Sequence, residues 1–513
     1  MLLEMHCHTS EHSACSHISA VEIVQQVFEK HLQGIVITDH HYLWTERELK
    51  TLRRAAGVPD YFLILSGQEV STFDYGDVLV YGVNEILEKG TPLKIIRERF
   101  HYAALVWAHP YRNNKKPSEK ELLNPLLDGI EIFNSNHKVR DNSRGLRDWH
   151  TYKFTAIGGT DTHGFDYAGM YPTLFDHPVS TISELADELR QGRCRPFIKE
   201  IPKAGANAQV TEVTIGTKGY DEVRQKFIIR KIKKEKKWES AEWAFQVMKE
   251  LSRHGFDHGT YRVPQTIDED PESMTIIEQG LRGKSFYEKI QAANYEDGQK
   301  YIKLAAQWLA KLHNLKLCLS PVEDFMQKEE ERLKGYLERF TSTHHPYTSK
   351  ARQIVEEVLI LIQRLFNEHS DSFVQGHGDY HPKNIIIGQD KTEDRDTLFV
   401  SAIDFEGSYC LPRAFDAGYF LSQFNYQLST HKEIISRYSE DIFIKAYVEA
   451  STELDYDFYY QVELFRAHAN MSIASYLLKL GLSETKELWH LLTDAERALT
   501  ACCMHHTDLL FTS

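Results

Sequence analysis

His6, His8, His40, Glu69, His109, Asp161 and His163 each stand where a short apolar, strand-like run ends, and all fall within the first 163 residues. Imidazoles and carboxylates are the side chains that hold transition metals. His6 and His8 are two residues apart, and on a strand such residues project to one face, so both rings can reach one ion while Cys7 points away. Asp39 and His40 close IVIT, Glu69 follows FLILSGQ, His109 follows ALVWA, Glu131 follows LLDGI, and Asp161 and His163 follow TAIGGT. A single histidine beside a strand is as often structural as it is a ligand, but the repeated placement is a pattern in its own right. A mixed His and carboxylate set suits Zn²⁺, Mn²⁺ or Fe, and more ligands than one tetrahedral site uses imply two or three ions. Such a cluster binds phosphate oxygens, neutralises developing charge and lowers the pKa of a bound water to about 7. The chemistry expected here is phosphoester hydrolysis.

A second constellation lies far along the chain. VQGHGDYHPKNIII places Asp379 five residues before Asn384, the spacing of base and metal-binding Asn in a kinase catalytic loop. After the strand-like LFVSA, the run Ile403-Asp404-Phe405-Glu406 offers a carboxylate for Mg²⁺. Together these groups can orient a hydroxyl and clamp the phosphates of a nucleotide.

Both constellations need elements to position them. Up to about residue 200, apolar runs alternate with helix-like segments, as in SAVEIVQQVFEKHLQG followed by IVITDH, which predicts a βα repeat. In a barrel of parallel strands the C-terminal strand ends converge on one mouth, and this would gather ligands scattered in sequence. IPKAGANAQVT is small, polar and aperiodic, so a boundary is expected there, giving domains 1–202 and 203–513. Beyond it come β-rich pieces (FIIRKI, MTIIEQ), a helical tract with AAQWLAKLHNL, and the second motif region from Gln375 to Phe420. The basic run Arg230–Lys237 reads as readily as a solvated hairpin as an anion site.

Composition bounds the partners. The chain has 513 residues, 42% hydrophobic and 26% charged, as expected of a soluble protein of more than one domain. Lys plus Arg is 60 against 74 for Asp plus Glu, a net charge of −14, which disfavours nucleic acid and would welcome a cationic small molecule. No basic flank with an apolar stretch opens the sequence and no run is long enough to span a membrane, so a cytoplasmic protein is expected. The seven cysteines are few and odd in number, which argues against a disulfide framework and makes reduced thiols the default.

The motifs HCHTSEHSACS, ITDHH, GQEVS, AHP, GIEIFN and GTDTHG resemble those of the polymerase and histidinol phosphatase (PHP) superfamily over roughly the first 200 residues. The resemblance implies an α/β fold with a distorted (β/α)7 barrel and a trinuclear site, with His6, His8, His40, Glu69, His109, Asp161 and His163 as ligands. It also implies Asp77 in YGDVLVYG as a ligand. A third ligand is implied in the first motif, where His12 is the choice and Glu11, Cys15 and His17 compete. Glu131 and Asn134 match positions that support such a site.

The second half, about residues 207 to 500, resembles the aminoglycoside phosphotransferase and choline kinase families through HGDYHPKN, IDFE, LAKLH and FDAGYF with Asp416. That resemblance implies an α+β bilobal kinase-like domain with Asp379 as catalytic base, Asn384 and Asp404 holding Mg²⁺, and ATP as cofactor. It places a hinge near Glu278 and the nucleotide-contacting lysine in FIIRKI. There Arg230 takes the slot beside Lys231, with Glu239 or Glu242 as helix partner, while Gly216 and Gly219 stand in for a glycine-rich loop.

The leading expectation from these resemblances is a metal-dependent phosphomonoesterase acting on a phosphorylated cationic small molecule, an aminoglycoside or amino sugar. Hydrolysis of 5''-phosphoribostamycin in antibiotic biosynthesis would be the implied case. The alternative is a bifunctional protein whose C-terminal half is an active ATP-dependent kinase. A third, non-enzymatic reading takes the first half as a degraded structural module and the second as a binding platform, and the near-complete ligand set weighs against it.

Overall fold

The computed structural model describes residues 1–164, 168–203, 208–216, 225–390, 397–482 and 486–510, the backbone alone for 503–510. By packing, the chain groups into two compact units, Met1–Lys233 with Ile267–Gly280, and Lys234–Thr266 with Leu281–Ser513.

In the first unit the apolar runs become ten short strands. These are β1 (Leu2–Glu4), β2 (Gly34–Ile37), β3 (Leu63–Ser66), β4 (Gln68–Thr72), β5 (Gly76–Tyr81), β6 (Ala104–Trp107), β7 (Gly129–Phe133), β8 (Ala156–Gly158), β9 (Thr173–Phe175) and β10 (Cys194–Pro196). They form two five-stranded sheets, in the orders β10-β9-β1-β2-β3 and β4-β5-β6-β7-β8. The pairs β1–β2, β2–β3, β6–β7 and β7–β8 are parallel, as the βα repeat predicts. The helix Ala20–Glu29 opens with a Ser19/Glu22 capping box and buries Ile23, Val24 and Val27 against Ile35, Ile37 and Phe62.

The expected barrel is not closed. Parallel order breaks where β4 turns into β5 through Gly76, at φ +69, and where β9 reverses against both β1 and β10. The sheets meet instead at two isolated parallel bridges, Cys7 with Thr162 and His40 with Glu69. The first bridge lies one residue from His6, His8, Asp161 and His163, and the second joins His40 to Glu69 directly, so the seam between the sheets is where the predicted ligands come together.

A further sheet of the first unit aligns Ile198–Lys203, Ala208–Ile215, Gln225–Ile232, Thr275–Gln279 and Thr266–Asp270 in that order. Its Val213, Ile215, Phe227 and Ile277 pack in one cluster with Ile130, Ile132 and Leu146. The side chains of Arg144 and Asp268 pair at 3.1 Å beside that cluster. The first strand of this sheet runs across the 202/203 position.

The second unit has a four-stranded sheet, ordered Tyr261–Arg262, Leu398–Ala402, Ile385–Gln389 and Gly283–Ser285, with helices around it. Phe458–Lys479 is buried on nearly every side, from Val462 and Phe465 through Ala469 and Ile473, as a central helix must be. The short pair Val374–Gln375 and Cys410–Leu411 brackets the second motif region. Cys318 and Cys410 form a disulfide, correcting the expectation that all thiols are reduced. No helix among the described residues is long and apolar enough to cross a membrane.

Candidate functional sites

At the seam of the first unit, the structure gathers His6, His8, Glu69 and Asp161 with ligand atoms within 4.8 Å of one another, all buried. Two overlapping groups extend it, His8 with His40 and His163, and Glu69 with Asp77 and His109. His8 Nε2 lies 2.9 Å from Glu69 Oε2 and 3.2 Å from Asp161 Oδ1, and His6 Nε2 lies 3.4 Å from each carboxylate. His40 Nδ1 is 3.2 Å from Glu69 Oε2, His109 Nε2 is 3.0 Å from Glu69 Oε1, and Asp77 is 3.9 Å from His109. His12 stands apart, stacked on Tyr42 at 3.6 Å between ring centroids and edge-on to Trp44.

Electrostatics in this cluster are those of buried acids and imidazoles held in close contact. Burial by itself lowers the pKa of His6, but Glu131, Asp161 and Glu69 outweigh it and hold the ring well above its ordinary value. His8 is likewise pushed up to about 9 by Asp161 and Glu69 against burial. Burial opposes ionisation of Glu69 and Asp161, yet the surrounding imidazoles keep both carboxyls well below the usual range. His40 and His163, nearer the surface, are lowered chiefly by burial. Such a donor set suits a divalent cation, which would take the place of the protons.

Supporting groups fix the ligands. Glu131 accepts from His6 Nδ1 at 2.9 Å and from the His109 backbone N–H at 2.9 Å, while Asn134 donates to it at 3.0 Å. Asp39 lies one step back, accepting from the Thr9 N–H and hydroxyl, the Ser13 hydroxyl and the Trp44 indole. Ser13 Oγ also lies 3.3 Å from His8 Nδ1, so Asp39 supports the cluster through it. The fully buried Glu4 accepts the N–H groups of Met5, His6, Thr160 and Gly169, tying β1 to the end of β8. Arg112 pairs with Asp161 Oδ2, leaving Oδ1 to the histidines.

The second site is built on the turn after Val374–Gln375. Asn384 Nδ2 donates to both the backbone and the carboxylate oxygen Oδ2 of Asp379, each at 3.1 Å. The Ile403 N–H donates to the Asn384 carbonyl at 2.9 Å, which brings the Asp404 segment alongside. Fully buried Asp416 accepts from the N–H groups of His377 at 2.7 Å and Gly378 at 2.8 Å, and lies 3.3 Å from His313 Nε2. Burial pushes its carboxyl up, but those donors and His313 outweigh it and hold the pKa low. Gly378 sits at φ +76, and a Cβ there would collide with the Gly407 carbonyl, so the turn requires glycine.

His109, Asp161 and Asp404 share a backbone feature, positive φ of 34°, 50° and 68° in non-glycine residues. Each such residue costs on the order of 1–3 kcal/mol, and such outliers concentrate at functional sites.

Asp379 and Asp404 face a cavity of about 300 Å³, with Glu406 beside them. Across it, on helix Asp324–Ser342, lies a group that sequence reading missed. Glu329, fully buried, accepts from Arg332 NH1 at 2.7 Å and the Tyr409 hydroxyl at 2.5 Å, and His468 Nε2 is 2.6 Å away. Burial opposes its ionisation, but His468, Arg332 and Tyr409 hold its pKa at about 2. The folded-state value is depressed, so the stabilisation is full above about pH 4.5 and is lost as pH falls toward 2, amounting to roughly 3 kcal/mol. In urea titrations between pH 5 and 3, the wild-type midpoint should fall more steeply than that of Glu329→Gln, and parallel slopes would contradict this.

Of the residues expected to contact a nucleotide, Arg230 pairs with Glu278 of the adjacent strand at 3.0 Å, a partner the sequence did not suggest. Phe227 and Ile229 point to the sheet's packed face, and alternation sends Arg230 to the other. Lys231 is exposed, and Glu242 lies half-buried on the helix Glu235–Leu251. Gly216 has φ +106, and Gly219 lies outside the described residues.

Comparison with known proteins bears on the second constellation. Residues 200–452 match the phosphotransferase enzyme family. The chain is similar to an ethanolamine kinase of Plasmodium vivax, with 16% identity, 60% of this chain and 81% of that one covered, and a TM-score of 0.39. It is similar to a choline kinase of Cryptosporidium parvum, with 14% identity, coverage of 61% and 90%, and a TM-score of 0.39. An uncharacterized protein of Methanocaldococcus jannaschii is 29% identical over 118 residues, 23% of this chain, and the match spans 66% of that relative's length.

The family match corrects the expected enzyme class. A phosphoric monoester hydrolase is not what this family performs, and the amino-sugar phosphatase expectation falls with it. What the comparison shows is a match of residues 200–452, just under half of the chain, to the phosphotransferase enzyme family.

Proposed function

We propose that the chain transfers the γ-phosphoryl group of ATP to a hydroxyl of a small molecule. The observation that carries this reading is Asp379, bound to Asn384 and facing the same cavity as Asp404. The acceptor oxygen attacks the γ-phosphorus and forms the new P–O bond. The bond from that phosphorus to the β–γ bridging oxygen breaks and ADP leaves. The hydroxyl proton passes to the Asp379 carboxylate.

Asn384 spends its amide nitrogen on Asp379, so its amide oxygen remains for a cation, and Asp404 adds a carboxylate. These two residues would hold Mg²⁺, which neutralises phosphate charge in such reactions. By their place in the sequence alone, Arg230, held by Glu278, and Lys231 are the proposed cationic contacts to the nucleotide, and Glu242 is proposed by its motif position. A coupled assay of ADP release with Mg²⁺ and a panel of small alcohols tests the reading. Failure to bind ATP in a titration would overturn it.

A second site is proposed on a separate observation. The convergence of His6, His8, Glu69 and Asp161 supports divalent metal binding in the first unit, with His40, His109, His163 and Asp77 completing adjoining positions. His12 is proposed as a ligand only by its motif. Elemental analysis of purified protein should find bound Zn, Mn or Fe in the wild type and at least one equivalent less in His8→Ala and Asp161→Ala. Equal metal content in all three would remove the proposal.

A further inference from the structure

The cavity beside Asp379 is lined by the carboxylates of Asp379, Asp404 and Glu406 and also by Arg332, Tyr419 and His468, with the Tyr419 hydroxyl hydrogen-bonded to Asp379. Its volume of about 300 Å³ lies at the bottom of the roughly 300–1,000 Å³ range of small-molecule sites, which favours a compact acceptor over a multi-ring one.

Arg332 commits NH1 to Glu329 and to the Tyr409 hydroxyl at 2.8 Å, while Nε and NH2 have no hydrogen-bond partner among the described residues. His468 is 1% exposed, and its Nδ1 is buried without a partner. Lys328, one turn earlier on the same helix, holds its ammonium 4.5 Å from the centroid of the Tyr409 ring. Arg332 and Lys328 thus stand beside Glu329, with Asp324 also acting on the Lys328 ammonium. A guanidinium with one edge anchored and the other facing a cavity is suited to a bidentate oxyanion, and the unpartnered imidazole nitrogen adds a position for a hydrogen bond.

We propose that the phosphoryl acceptor is a small hydroxy acid whose hydroxyl lies against Asp379 and whose carboxylate is held by Arg332 with His468. This rests on the kinase reading and deepens it by naming the substrate class. It also reverses the charge that the net −14 of the chain suggests for the acceptor. Arg332 acts here as a specificity-determining residue.

The test is an ADP-release assay on the full chain with ATP and Mg²⁺, using glycerate and gluconate, the neutral glycerol and glucose, and the amines ethanolamine and glucosamine. Phosphoglycerol serves as an arm that separates a phosphate group from a carboxylate. Wild type should prefer the hydroxy acids. Arg332→Met should raise their KM by roughly 10–100-fold with kcat little changed, and Arg332→Lys should recover part of the loss. Because Arg332→Met strands Glu329, the double variant Arg332→Met/Glu329→Gln is measured beside it, together with calorimetric titration of glycerate and gluconate into each protein. Preference for amines or neutral alcohols, preference for phosphoglycerol, or an acid KM and affinity unchanged in these variants, would overturn the inference and leave the kinase reading standing. Failure to bind ATP would instead overturn the kinase reading, while acid binding lost in the Arg332 variants would still support the oxyanion site.

Discussion

Asp379→Asn is expected to slow acceptor-dependent ADP release by roughly 10²–10⁴-fold, the contribution typical of a positioned general base. The carboxylate is half-buried at the cavity and accepts from Asn384 through Oδ2. Asparagine can keep a contact of similar shape but cannot accept the hydroxyl proton. ATP affinity and the unfolding midpoint should therefore change little, since the position lies outside the core. A rate within tenfold of wild type, at saturating acceptor, would show that another group accepts the proton.

Asp416→Ala is expected to have the largest effect on stability, roughly 3–5 kcal/mol, and to remove activity with it. Its carboxylate takes up the buried N–H groups of His377 and Gly378 and faces His313. Alanine leaves both buried N–H groups and His313 Nε2 without this partner, while His313 Nδ1 keeps the Tyr447 hydroxyl at 2.7 Å. Asp416→Asn should cost less, because its amide oxygen can still accept one of the backbone donors. Thermal unfolding of both variants is the measurement, and a loss below about 1 kcal/mol in Asp416→Ala would mean that the turn holds its shape without this anchor.

The parts of both sites that could be read in the sequence are those whose geometry is local or repeats. Asp379 and Asn384 are five residues apart within one turn, and their hydrogen bonds follow from that spacing. Histidines at strand ends could be read because each apolar run declares where its strand stops. Asp161 and His6 meet because parallel strands end on the same side of the seam. Glu329 and His468 were not legible, since they are 139 residues apart on two helices whose register no local pattern sets. Arg112 and Glu4 were missed for a related reason. A loop arginine and a carboxylate inside a strand look ordinary until their partners, Asp161 and the Thr160 and Gly169 backbone, are brought to them. Barrel closure was overpredicted because alternation of strand and helix carries no mark for the hairpin at Gly76 or the reversal at β9.

The disulfide between Cys318 and Cys410 has a topological meaning. It closes a loop with a sequence separation of 92 residues, and Arg332, Asp379, Asn384 and Asp404 all lie inside it. Restricting a loop of this length in the unfolded chain stabilises the fold by roughly 4–5 kcal/mol in the chain-entropy picture. Arg332 and the catalytic turn thus belong to one covalent macrocycle, while His468 approaches from outside it. A protease that cuts its backbone once opens the ring without separating the fragments, whereas reduction frees the two ends while every peptide bond stays intact.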